Sequence, residues 1–195
     1  MNENERINMS IISQIIKNRR SRFPDMYQDR PIEKETMLNI LTAANYAPTH
    51  RKTEPWRFKV VQGAAKEKLA RFLVEKYTQL EESPSEFKAK KILRKAEKSA
   101  GIILICMQRD PKESVPEWEE IAATAMAVQN MWLVCTELGI GSYWSTPHYI
   151  SAMSEFTDLA EGEKCLGLFY MGYSDVELPA YDRSPIGEKV EWITE

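Results

Sequence analysis

The chain has 195 residues, 43% hydrophobic and 28% charged, which suits one domain over 1–195 that buries roughly 70% of its unfolded surface without disulfide or metal staples. A formal net charge of -3 argues against a general nucleic-acid or anionic-membrane binder, because such proteins concentrate positive charge to displace counterions. Cys106, Cys135 and Cys165 are widely spaced within apolar runs, and the polar start "MNENERINMS" has no apolar leader; together they predict reduced, buried thiols in a cytoplasmic protein.

Residues 7 to 18 place Ile7, Ile11, Ile12, Ile15 and Ile16 at helical spacing, with Lys17, Arg19 and Arg20 at the C-terminal end, where cations suit the helix dipole. Pro24 and Pro31 bracket an extended link, and "IEKETMLNILTAANYA" (32–47) reads as a second helix stopped before Pro48. "PWRFKVVQG" alternates Trp56, Phe58 and Val60 with Arg57 and Lys59, a half-buried strand closed by Gly63. A third helix is predicted over 64–80, and the lysine-rich stretch from Ser83 to Ser99 reads as a mobile helix with a solvated face. "AGIILICMQR" (100–109) is a continuous apolar run of the length of a strand buried on both faces.

The helix expected over 117–138 is apolar on nearly every side and carries small Ala122, Ala123, Ala125 and Ala127, so it must be enclosed. It either runs through the centre of the domain or is completed by another subunit. "GIGSYWST" and "KCLGLFYMGY" read as two more strands, and "EKVEWI" as a last strand at the C-terminus. Helices packed on a central sheet give an α+β fold class.

Nucleophile-elbow, P-loop, zincin and C-x-x-C motifs are all missing, and "GIGSYW" lacks the third glycine of a dinucleotide fingerprint. His50 and His148 do not make a zinc site between them, and His148 reads as structural. An enzyme built from these side chains needs a bound cofactor for its reactivity. "NRRSRF", with Arg19, Arg20 and Arg22 around Ser21, is the candidate anion site, its alternative being a solvated helix end. A guanidinium–phosphate contact contributes about 1.5–3 kcal/mol, so two fall short of the roughly 8 kcal/mol of a micromolar complex. The remainder must come from burying an apolar ligand body in a pocket bordered by Tyr46, Trp144 and the apolar helix.

"IIKNRRSRF", "ILTAANYAPTHRKTEPWRFKVVQG", "GIGSYWST" and "LGLFYMGYSDVELPAYDRSPIGEKVEW" together resemble the FMN-dependent nitroreductase family, in particular its short members, over the whole chain. The resemblance implies a nitroreductase-like fold, a mostly antiparallel central sheet flanked by helices, in an interlocked homodimer with FMN at the subunit interface. It implies that Arg19, Arg20 and Ser21 hold the FMN phosphate and ribityl hydroxyls and that Tyr46 lines the same pocket. His50 would reach the flavin bound mainly by the partner, Trp144, Ser145 and Thr146 would lie beside the ring, and Arg183 would add a second charge at the phosphate.

The chain departs from the family pattern at Phe23, where relatives carry a basic residue, and at Lys52 and Glu54, where longer members carry Asn and Gln; Glu54 is expected to face solvent. The implied activity is hydride transfer from NAD(P)H to flavin N5, then reduction of a nitroaromatic, quinone or activated alkene, with no side-chain acid or base required. Reductive dehalogenation, with Ser83–Ser99 as a substrate lid, and FMN binding without turnover stay open as alternatives.

Overall fold

The computed structural model describes residues 10–179 and 181–195, so Ile7 of the first predicted helix lies outside the described residues. Helix α1 (Ile11–Asn18) starts at Ser10, whose side chain accepts from the Ser13 N–H, one of the amides a helix start leaves unpaired. Helix α2 (Lys34–Ala44) precedes strand β1 (Trp56–Val61), and α3 (Ala65–Leu80) and α4 (Glu86–Lys98) precede β2 (Gly101–Gln108). Helix α5 (Glu117–Glu137), β3 (Ile140–Ser145) and β4 (Glu163–Tyr173) complete the regular elements.

The four strands form one antiparallel sheet in the order β1-β2-β4-β3. The apolar run of β2 is fully buried from Ile102 to Met107 because both faces of the sheet are covered. On one face Ile102, Leu104 and Cys106 pack with Leu69 and Leu73 of α3 and Ala96 of α4. On the other, Ile103 and Ile105 pack with Met37 and Ile40 of α2 and with Ala127, Val128 and Met131 of α5.

A bulge interrupts the β2–β4 ladder: Ile105 opposes Gly167 and Cys106 opposes Cys165, leaving Leu166 as the extra residue. The extra residue shifts the side-chain alternation of β4. Cys165 therefore shares a face with Leu168 and Tyr170, while Leu166 joins Phe169 and Met171 on the other.

Ser83–Ser99 contains the expected helix with a solvated face: α4 buries only Ala96, packs on α3 and meets Asp25 through Arg94 Nε at 2.6 Å, on the sheet face opposite α5. Other expectations change. The "EKVEWI" segment is not a strand. A strand needs a neighbouring ladder, and the tail joins neither edge of the sheet; it makes a 3-10 turn at Ile186–Lys189 and leaves Trp192 and Ile193 each 85% exposed. Of the two alternatives for α5, enclosure within one chain is not met: Ala123, Ala127, Met131 and Cys135 are buried, but Trp118 is 67% and Met126 41% exposed. In β1 the alternation holds, with Val60 opposite Ile103 on the face of Trp56 and Phe58, but this edge strand leaves Val60 40% exposed. Among the described residues no helix is long and apolar enough to cross a membrane.

Candidate functional site

Where α1 ends, the chain turns at Arg19 and lies along the free edge of β3. Ser21 bridges Ser142 in parallel, and the Arg22 N–H donates to Ser142 O at 3.1 Å. Arg22 also reaches across to donate to Ser174 O at 3.0 Å, while its own carbonyl accepts from Tyr27 Oη at 2.6 Å. The Tyr27 ring lies flat on Gly172, where a Cβ would meet ring atoms at 2.7 Å. Arg22 is therefore a strap that fixes the height of the arginine segment on the sheet.

Arg19 and Arg20, released by that strap, face a cleft of about 1420 Å³. The α1 end forms one wall, Gln129, Trp132 and Thr136 of α5 a second, and the tail residues Tyr181 and Arg183 a third. The Arg19 guanidinium sits 4.6 Å from the Trp132 ring centroid. Arg20 donates to Pro179 O at 3.1 Å and lies 5.6 Å from the Tyr181 ring, which Arg183 approaches at 5.4 Å. Burial first, then the positive charges of Arg183 and Arg20, lowers the Arg19 pKa. Like charges held together without a counterion cost stability unless something anionic joins them. Among the described residues no carboxylate lies within ion-pair distance of Arg19, Arg20 or Arg183.

The cleft thus gathers Arg19, Arg20, Ser21 and Arg183 and does not include Tyr46, His50, Trp144, Ser145 or Thr146. Tyr46 is 81% exposed beyond α2. His50 lies against the start of α5, its Nδ1 2.6 Å from Glu119 Oε2. It belongs to a loop in which Arg51, Lys52 and Glu54 all take left-handed backbone conformations that cost non-glycine residues energy. Glu54 is exposed, as the sequence suggested. Trp144 folds back over Gly167, and its buried indole N–H has no partner among the described residues. His148 makes an edge contact with Tyr149 at 5.0 Å.

The sequence reading missed Trp132, the cleft's flat wall. Its Nε1 is buried and also without a partner among the described residues. The only signal was an indole on the helix face that turns toward the arginines, and that facing is a tertiary fact.

An antiparallel sheet between α2/α5 and α3/α4, with a basic cleft where the first helix meets the sheet edge, defines the nitroreductase-like α+β fold. A crystal structure of a nitroreductase-like family protein from Bacillus cereus superposes with a TM-score of 0.79 at 27% identity, over 95% of this chain and 97% of that one. A Bacteroides fragilis nitroreductase with bound FMN shares the fold at a TM-score of 0.69 and 19% identity, over 95% of this chain and all of that one. YfhC of Bacillus subtilis (strain 168), provisionally named an NAD(P)H nitroreductase, is 28% identical over 183 residues, 92% of this chain and 93% of its own. The Nitroreductase family model matches residues 16–173, and the chain belongs to that family of oxidoreductases.

Proposed function

We propose that the protein is a cytoplasmic, single-domain, FMN-dependent oxidoreductase that works as a homodimer, takes hydride from NAD(P)H and reduces nitroaromatics, quinones or activated alkenes in two half-reactions. The observation that carries the reading is the cluster of Arg19, Arg20 and Arg183 around an indole-walled cleft: none of the three is ion-paired among the described residues, although Glu177 and Asp182 also line it. A phosphate dianion on an aromatic body answers both halves of that arrangement. The bound FMN of the Bacteroides fragilis neighbour and the name of YfhC support the same choice of cofactor and reductant.

FMN, when bound, supplies the two-electron carrier that no side chain here offers. The chain's own work is to bind, orient and exclude water. Arg19, Arg20 and Arg183 neutralise the phosphate, Ser21 donates to the ribityl chain, and the Arg22 strap keeps these groups at one height on the sheet edge. Trp144, Ser145 and Thr146 at the end of β3, with Tyr46 beyond α2 and His50 near the start of α5, complete the site from the two protomers.

The dimer accounts for apolar surface that a monomer leaves wet: Ile11, Ile12 and Ile16 of α1, Trp118 of α5 and Trp192 of the tail are each more than half exposed. It also supplies the second cover that the sequence of α5 demands.

The test is direct. Purified protein given FMN is expected to be yellow, to bleach with NADH or NADPH, and to recolour when a nitroaromatic or quinone is added. Protein that remains colourless after incubation with FMN overturns the proposal.

A further inference from the structure

The bulge at Leu166 does more than bend β4. Without the extra residue, Cys165 would fall on the sheet face of Phe169 and Met171; with it, Cys165 is set directly opposite Cys106, on the same face as Cys106. Residues directly opposed in an antiparallel ladder have Cβ atoms about 4.5–5.5 Å apart, and a disulfide needs about 3.5–4.5 Å, so a small closing movement suffices. The two thiols are free, and Cys165 donates to Gly167 O at 3.5 Å. Beside them the Lys59 ammonium and the Glu163 carboxylate meet at 2.8 Å. Cys135 has none of this: it is fully buried on the other sheet face, and burial pushes its thiol up to about 12.

We infer that Cys106 and Cys165 are a reversible dithiol site, oxidised by a hydroperoxide to a cross-strand disulfide that staples β2 to β4. Cys165 is the attacking sulfur, because it retains 8% exposure where Cys106 has none. The neighbouring Cys106 thiol lowers the Cys165 pKa, and the Cys165 sulfur, then burial, raises the Cys106 pKa. The Cys165 thiolate attacks the distal peroxide oxygen, the O–O bond breaks, and the leaving alkoxide or hydroxide takes a proton. The resulting Cys165 sulfenic acid is attacked by the Cys106 sulfur, and the S–O bond breaks as water leaves with the Cys106 proton. The dithiol loses two electrons and the peroxide gains them; two thiols and one hydroperoxide give one disulfide, one alcohol or water, and one water.

The experiment treats the folded full-length protein with hydrogen peroxide, blocks remaining thiols by alkylation after denaturation, and reads intact mass and tryptic peptides. Expected are a loss of about 2 Da, one peptide pair joined through Cys106 and Cys165, a single alkylated thiol at Cys135, and recovery of three thiols with dithiothreitol. The closed loop spans α5 and β3, so the oxidised form is also expected to melt at least about 5 °C higher. In Cys106→Ala the Cys165 sulfenic acid persists and is trapped by dimedone. In Cys165→Ala, Cys106 oxidation slows by at least about tenfold. Addition of oxygen at either sulfur of the unsubstituted protein without a linked peptide, or modification of Cys135 as fast as Cys165, overturns the inference.

Discussion

Replacing Arg19 by alanine separates binding from folding, because the two respond in different ways. Arg19 faces Arg20 and Arg183 and makes no ion pair among the described residues, the cleft carboxylates Glu177 and Asp182 lying beyond ion-pair distance, so in the ligand-free protein its charge is a burden partly offset by stacking on Trp132. Such a cation–π contact contributes about 0.5–1 kcal/mol at a partly exposed site, and relief of the two like charges returns a similar amount. The ligand-free variant should therefore melt within a few degrees of the parent. With FMN, one charge-assisted contact of about 1.5–3 kcal/mol is lost, which weakens affinity by roughly 10- to 150-fold. Titration by quenching of flavin fluorescence measures the affinity, and paired melts with and without FMN read the lost stabilisation. An affinity within threefold of the parent, or a large loss of stability in the ligand-free variant, would refute the charge argument.

The exposed face of α1 gives a second expectation: Ile12→Asp, at a position 64% exposed, leaves the fold intact but shifts sedimentation from dimer to monomer. Gly167→Ala should destabilise by about 2–4 kcal/mol in urea unfolding, since the new Cβ would lie 2.0 Å from Trp144 Nε1 and the indole must move. The pH dependence has a definite sign at Asp110, whose pKa is lowered by hydrogen bonds from the Ser114 hydroxyl and from the Ser114 and Lys112 amides. A depressed carboxylate stabilises the fold above its unfolded pKa, near about 3.9, and that contribution disappears as pH falls through the lower folded value. Asp110→Asn should remove this part of the acid dependence in urea midpoints measured from about pH 5 to 2.

The spacing of residues along the chain was enough for most of the regular elements. Four isoleucines at helical intervals in α1, the unbroken run of β2 and the largely apolar α5 each carry their pattern within about twenty residues, the range over which backbone periodicity acts. The arginine segment was legible as charge, and the family resemblance named Arg183 as its companion.

What local pattern could not supply was juxtaposition. Arg20 finds Pro179 at a separation of 159 positions, Arg19 finds the ring of Trp132, and a single extra residue at Leu166 turns two scattered cysteines into an opposed pair. The tail's alternation read as a strand because the residues permit one, yet strand formation depends on a neighbour's free edge, which only the folded sheet offers or withholds. Periodicity reports which face of an element is apolar; which partner meets that face is set by how the layers pack.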